Sequence, residues 1–467
     1  MLDVTQTNRT RNCLKPDYGP MEIQRSGLSN GIRLAAAKPM GAKLGACTIM
    51  FQAGTRYEID DEIGAGHFLR VASSGSGHGY TGYIKSRYSI QNGVDLTCTS
   101  DRQTVAYTLR CPVTKFPDMK RFLLDTAVRG CYQNHEIADI KHLLLDDLHR
   151  IHPEQRVIDL AQRACWGGPL SNSTFCESER IKAMSGKVLS TFTEKHMKPE
   201  VCTIGTVGVP FEETMKLAEI IKFGISRYHF LFPTCEAISF PRRGYEVYDL
   251  GPNSSTWIAL VVPGCGTCDL RTLAKHSVIA ATCGTGFAHL GDNSLDHTPQ
   301  SPLGLLSGKD IYTSFKAFNI SYNDTGVFGI LVKTRAVSAQ NAARAAAEFL
   351  THIGELSFSQ IEIGKRRLKL GLALSDEDSV KITESLCLQL ANNTQLEGAD
   401  AAFTLVDCIG TADISGTAKH TSVRPKLRFR PPSAKNPSSA RSSASAGFWA
   451  EAEGPRAVDI KRTVTKE

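Results

Sequence analysis

The chain has 467 residues, of which 41% are apolar and 22% charged, with a formal net charge of +7. These proportions exclude a wholly disordered chain and leave room for two or three domains of roughly 100–200 residues each. The charge is spread along the sequence, which excludes the dense basic stripe of a nucleic-acid-binding protein, and 14 scattered cysteines point to a reducing compartment rather than a disulfide scaffold.

Residues 1–20 read as an N-terminal extension. Arg9, Arg11 and Lys15 lie among polar residues, but there is no apolar signal core, and Asp3 and Asp17 do not suit a transit peptide. Leu28-Ser29-Asn30-Gly31 predicts a turn, followed by strands over 32–37 and 46–53. A helix is predicted over 60–72, although Gly64 and Gly66 interrupt it. Apolar residues alternate over 94–100 and 104–111 around Asp101-Arg102, the pattern of a hairpin. Helices over 116–128 and 137–151 follow, the second with Ile137, Ile140, Leu144, Leu148 and Ile151 on one stripe. A strand over 201–207 and a helix over 211–223 close this half.

Residues 226–243, with Pro233, Pro241 and Arg242-Arg243, predict a linker. Beyond it the pattern restarts: strands over 245–250 and 256–262, a helix over 270–283, a hairpin of 315–322 and 326–334 around Asn323-Asp324, and helices over 339–353 and 359–374. A hairpin with a charged turn, followed by two helices, thus recurs about 220 residues downstream. The expected fold is α+β: two homologous domains over 21–225 and 244–420, each a mostly antiparallel sheet packed against helices. Residues 421–467, rich in Ser, Pro, Ala, Lys and Arg, have little to bury and predict a disordered tail, within which 426–430 is the stretch best suited to a strand. No run approaches the roughly 18 apolar residues needed to span a bilayer.

The residues that carry chemistry sit near the start. Gly54-Thr55-Arg56-Tyr57-Glu58, then Gly64-Ala65-Gly66-His67-Phe68-Leu69 followed by Arg70 and Val71, resembles the inverted zinc motif of the pitrilysin and mitochondrial processing peptidase family. The resemblance implies two zinc-binding histidines one helical turn apart, a glutamate beside the second as general base, and a third ligand from a helix roughly 75 residues on. Here the first histidine stands as His67, the position of the base holds Arg70, and the position of the second histidine holds Val71. The distal ligand would fall on the 137–151 helix, which offers Asp146 and Asp147 as relics. A catalytic zinc site uses three protein ligands, and Arg70 sets a permanent cation where the metal would lie. The expectation is an inactive peptidase homologue with no catalytic residue, no metal-ligand set and no cofactor.

Ser314-Phe315-Lys316-Ala317-Phe318-Asn319-Ile320-Ser321-Tyr322-Asn323-Asp324-Thr325-Gly326-Val327-Phe328-Gly329-Ile330 is similar to the core-protein-2 group within that family, as is Leu69-Arg70 followed by Ser73-Ser74. The resemblance runs over 27–419. It implies a non-catalytic subunit with a structural and assembly role in the respiratory ubiquinol–cytochrome c reductase, complex III. Such a subunit lies on the matrix side of the mitochondrial inner membrane, peripheral and without a transmembrane helix. It is partnered by a core-protein-1-like subunit and the other subunits of a dimeric complex, and binds no nucleic acid. The alternative within the family is the alpha subunit of the processing peptidase, which helps bind presequences and carries a long glycine-rich loop; the matching region, 281–299, has only Gly284, Gly286 and Gly291. An active zinc metallopeptidase would need the missing glutamate and histidine. Family members continue past the region matching 412–419 with another strand and a helix, where this sequence turns to its Ser/Pro-rich tail.

Three further motifs have plainer readings. Cys265-Gly-Thr-Cys268 follows a predicted strand and opens a helix, the setting of a redox dithiol, but it lacks the Cys-Gly-Pro-Cys pattern and a second pair, and reads as two ordinary thiols. Gly75-Ser-Gly-His-Gly and Gly284-Thr-Gly lack the βαβ spacing of a dinucleotide site and read as loops.

Overall fold

The computed structural model describes residues 22–38, 43–221, 239–251, 254–286, 298, 300–307, 310, 312–394, 398–421, 425–426 and 451–452. The first half runs β1 (Glu22–Gly27), β2 (Arg33–Lys38), β3 (Leu44–Phe51), α1 (Ala65–Ala72), α2 (Gly82–Asn92), β4 (Asp95–Ser100), β5 (Val105–Pro112), α3 (Phe116–Ala127), α4 (Asn134–Arg150), α5 (Pro153–Cys165), β6 (Trp166–Gly167), α6 (Ser178–Ala183), α7 (Gly186–His196), β7 (Cys202–Val207) and α8 (Phe211–Ile220). The second runs β8 (Phe240–Pro241), β9 (Thr256–Pro263), α9 (Leu270–Cys283), β10 (Thr285–Gly286), α10 (Pro302–Ser307), β11 (Ser314–Ser321), β12 (Gly326–Thr334), α11 (Ala339–His352), α12 (Phe358–Ser375), α13 (Ser379–Ala391), α14 (Gly398–Cys408) and α15 (Thr411–Thr421).

These elements form two main sheets, and the architecture is α+β as the sequence pattern predicts. The first has the order β1-β2-β7-β3-β5-β4 and the second β10-β11-β12-β9. All neighbours are antiparallel except β2 and β7, which are parallel. Both expected hairpins form. Val105 faces Ser100 across the first turn, and Gly326 faces Ser321 across the second. The stripe on α4 is buried where the periodicity places it, at Ile137, Ile140 and Leu144.

Two expected elements differ. The helix over 60–72 shortens to α1, preceded by a single 3-10 turn at Asp60–Glu62. Gly64 interrupts it with φ +95°, a left-handed conformation that glycine adopts without strain. A Cβ on Gly64 would also lie 2.4 Å from Cys176 Sγ, so the close approach of 176 reinforces the break. The expected strand over 245–250 is absent, and 242–251 have no regular structure. Alternation alone does not make a strand; a neighbouring ladder must satisfy its backbone groups.

The expected N-terminal extension lies outside the described residues, as does most of the expected linker. The tail lies outside them too, apart from Pro425–Lys426 and Glu451–Ala452, which pair as a two-residue ladder.

The two halves exchange a helix. α13, from the second half, packs on β3 and β7 of the first sheet. Ile382 and Leu386 are buried there with Ala35, Ala37 and Val207. Thr383 Oγ1 accepts a 2.8 Å bond from Thr48 Oγ1, and Gln52 Nε2 donates to Ala391 O at 3.1 Å. Gly205 permits the contact, because a Cβ there would lie 2.6 Å from Thr383 O. Reciprocally, α5 of the first half packs on β9 of the second sheet. Lys316 Nζ donates to Glu154 Oε1 at 2.9 Å, and the Tyr322 hydroxyl donates to Gln162 Oε1. Each large apolar side chain buried in this exchange contributes roughly 1.5–3 kcal/mol that neither half could collect alone.

Candidate functional site

The motif region is built around the start of α1. The chain leaves β3 at Phe51 and turns through a 3-10 helix at Thr55–Tyr57. This delivers Glu58 into the interior beneath the helix. Its Oε2 accepts from Gly64 N–H and its Oε1 from Gly66 N–H, both at 2.7 Å. A buried carboxyl thus occupies the N-terminal end of α1, where unpaired N–H groups and the helix dipole favour it. Burial pushes the Glu58 carboxyl up to about 8, against the pull of those two N–H donors. Asn172 braces the same loop, its Nδ2 donating to Thr55 O at 2.9 Å and Glu58 O at 3.1 Å.

His67 is fully buried on α1. Its Nδ1 accepts from the Cys176 N–H at 3.0 Å, and its Nε2 lies 2.8 Å from Asp147 Oδ2. Because Nδ1 accepts, the imidazole proton resides on Nε2 and is donated to Asp147. Burial lowers the His67 pKa to about 4, so the ring is neutral near pH 7, although the Asp147 bond opposes this. Phe175 sits edge-on to the ring at 6.0 Å.

Arg70, one turn along α1, donates from Nη2 to the same Asp147 Oδ2 at 2.5 Å. One carboxylate oxygen of α4 therefore accepts from both motif residues of α1. Of the two candidate relics, Asp147 is brought to His67 and Asp146 is not; Asp146 is exposed on α4. Neighbouring residues in a helix are rotated by about 100°, so only one of the pair can face α1. Val71 is partly buried against the first core.

The donor set at this point is His67 Nε2 and one Asp147 oxygen, already bonded to each other and shared with a guanidinium. These residues do not fit a zinc ion, which uses three protein ligands at a catalytic site. Among the described residues, no group of three or more His, Cys, Asp or Glu could hold a metal ion.

Cys268 Sγ donates to Asn323 O at 2.9 Å and Cys265 Sγ lies 4.0 Å from Ser321 Oγ, so the two thiols engage different partners. Both are free thiols. The Gly75–Gly79 loop is held by Gly79 N–H donating to Asp125 Oδ1 at 2.8 Å, and Gly284 follows the end of α9 with φ +73°.

Sequence reasoning missed the link between the motif and the second half. Arg56 donates from Nη1 and Nη2 to Asp324 Oδ1 and Oδ2 at 2.8 and 2.6 Å. The Arg56 bond holds the Asp324 carboxyl below its usual range. Both residues stood in stretches already singled out, but nothing in either pattern pairs them. The buried ion pair between Arg102 and Asp159, at 2.6 Å, was likewise not anticipated; a charged hairpin turn ordinarily faces water.

Residues 34–178 match the family described as Insulinase (Peptidase family M16). The matched segment runs from β2 to the start of α6 and includes the motif helix α1. The match to known proteins extends well beyond that M16 segment. The human protein named cytochrome b-c1 complex subunit 2, mitochondrial, is 25% identical over 405 residues, covering 86% of this chain and 87% of that protein. Mouse cytochrome b-c1 complex subunit 1 is 26% identical over 324 residues, covering 66% of this chain and 64% of that protein. The potato mitochondrial-processing peptidase subunit alpha is 21% identical over 419 residues, covering 86% and 81%. A chain of Complex III2 from Candida albicans, with Inz-5 bound, has the same fold, with a TM-score of 0.67 and 17% identity over 85% of this chain and 92% of that one.

Proposed function

We propose that this M16 relative is a non-catalytic core subunit 2 of the mitochondrial respiratory complex III, with a structural and assembly role in electron transport from ubiquinol to cytochrome c. The observation that carries the reading is the similarity to human cytochrome b-c1 complex subunit 2, which spans 86% of this chain and 87% of that protein. Its partners are then a core-protein-1-like subunit and the other subunits of the complex. It sits peripherally on the matrix side of the inner membrane. In keeping with this, no helix among the described residues is long and apolar enough to cross a membrane.

The chain itself has no peptidase activity on this reading. Peptide hydrolysis in the family needs a base beside a metal-bound water. Arg70 occupies the position of the base, cannot accept a proton, and is committed to Asp147. His67 is neutral, but its Nδ1 accepts from backbone and its Nε2 proton is donated, so neither nitrogen is free to act. His67 and Arg70 instead join α1 to α4 through Asp147.

Affinity purification from mitochondria, with mass spectrometry of the co-purifying chains, tests the assignment. The expected result is a core-protein-1-like chain together with other complex III subunits. Recovery with a processing-peptidase beta subunit alone would instead support the presequence-binding alpha subunit, the reading for which the potato match stands. Elemental analysis should find no stoichiometric zinc. About one zinc per chain, or chelator-sensitive cleavage of a presequence peptide, would overturn the non-catalytic reading.

A further inference from the structure

The second half repeats much of the first in the same order. β9 corresponds to β3, α9 to α1, the β11–β12 hairpin to β4–β5, and α11, α12 and α13 to α3, α4 and α5. α14 and α15 then correspond to α6 and α7. In the first half, α7 is followed by β7, which inserts between β2 and β3, parallel to one and antiparallel to the other. Among the described residues, the second sheet has no counterpart of β7. Among those residues β9 is its last strand and pairs only with β12.

The surroundings of the gap are those of an interior strand. β3 is buried at seven of its eight positions, whereas β9, the apolar run Thr-Trp-Ile-Ala-Leu-Val-Val-Pro, is buried only at Leu260 and Val262. Residues 246–250, at the place of β2, run beside α5, where the Arg156 guanidinium lies 4.6 Å over the Tyr248 ring. They leave Val247, Tyr248 and Leu250 exposed and belong to no sheet. An apolar edge strand with no partner on one side among the described residues is an acceptor for one more strand.

We propose that the open edge of β9 is a strand-acceptor site and that its occupant is the chain's own segment 426–430, Lys-Leu-Arg-Phe-Arg. Distance along the chain selects it. β7 begins six residues after α7 ends, from His196 to Cys202, and six residues after α15 ends at Thr421 is Leu427. The sequence alternates with period two, apolar at Leu427 and Phe429 and basic at Lys426, Arg428 and Arg430, the pattern of a strand. It has no proline until Pro431, which would end the ladder. Among the described residues Pro425–Lys426 pair with Glu451–Ala452 as a two-residue ladder. Such a ladder is marginal by itself, while β9 offers a whole strand edge.

Hydrogen exchange on the full-length protein tests this, read at β9 and, as an internal control, at β3. The β9 amides should be protected in the intact chain. Phe429→Pro, which removes a donor from the middle of the segment, should speed β9 exchange at least tenfold and leave β3 unchanged. Ser438→Pro, farther along the tail, should alter neither. Deletion of 425–467 should reproduce the Phe429→Pro pattern, which guards against a variant that simply misfolds. Fast β9 exchange in the intact chain would overturn the proposal. So would β9 protection that survives both changes, or protection that rises with protein concentration alongside dimer formation, which would make a second copy the occupant.

Discussion

The shared acceptor at Asp147 allows a sharp test, because its neighbour Asp146 is a built-in control. Asp147→Ala removes the only acceptor that the structure gives to His67 Nε2–H, on a ring with no exposed surface. A buried donor left unsatisfied costs about 1–3 kcal/mol. The Arg70 guanidinium loses the same bond but is 31% exposed on its side chain, so water replaces much of what is lost. The Asp147 side chain is 39% exposed, so water also has partial access to the vacated place and the cost should lie in the middle of that range, about 2 kcal/mol. At an m-value of about 3 kcal/mol per molar urea, that moves the midpoint of the first half by roughly 0.7 M. Asp146→Ala, on the exposed side of α4, should stay within about 0.5 kcal/mol of the parent. Asp147→Asn keeps an oxygen for His67 and should fall between the two. Urea unfolding followed by hydrogen exchange at α1 reads the difference. If Asp147→Ala and Asp146→Ala prove equal, the shared acceptor does not hold α1 to α4.

Other expectations follow from the same neighbourhood. His67 has a folded pKa of about 4 against 6.5 unfolded, so the unfolded chain takes up the proton first as the pH falls. Its contribution is whole above pH 6.5 and is lost toward pH 4, about 3 kcal/mol in all. Nitrogen NMR should show a neutral ring protonated on Nε2 at pH 6, and an imidazolium there would contradict the assignment. Gly64→Ala meets both a left-handed φ and Cys176 Sγ at 2.4 Å, and should cost about 3 kcal/mol, visible as a lower Tm. In a double-mutant cycle of Arg56→Met with Asp324→Asn, the coupling should be about 1 kcal/mol, discounted because the Asp324 side chain is 48% exposed; a coupling near zero would mean that the bidentate pair does not join the halves.

Much of this molecule is legible in its sequence, because the strongest signals are local. The hairpins and the stripe on α4 need only period and turn residues, and both form where expected. Conflicts arise where a partner decides the outcome. Residues 245–250 alternate as well as several true strands, yet no ladder meets them. The 60–72 helix starts late because Glu58, outside the periodic run, caps it beyond Gly64. At the motif, positions 67, 70 and 71 mark where this sequence departs from the zinc pattern it resembles. They did not show which aspartate would turn inward, since that depends on the rotation of α4 against α1. Nor could an apolar stripe on α5 or α13 say that the surface it covers belongs to the other half.

The replacement at Arg70 has a physical logic of its own. The motif that this segment resembles has a glutamate at this position, and a glutamate there would face Asp147 with like charge. Arginine reverses that sign and reaches across to α4 without needing a third ligand. It also gives His67 a structural place. Once Asp147 is held by Arg70, its oxygen remains in place to accept the imidazole proton, and the Cys176 N–H fills the other side of the ring. Removing the histidine would leave that backbone donor buried without an acceptor, so its retention needs no metal to explain it. The same reasoning orders two variants that composition alone would rank alike: Arg70→Glu should destabilise α1 more than Arg70→Met, because it adds a repelling carboxylate as well as deleting a bond. Thermal unfolding of the two proteins side by side decides the point, and a more stable Arg70→Glu would show that the α1–α4 contact is not held by charge.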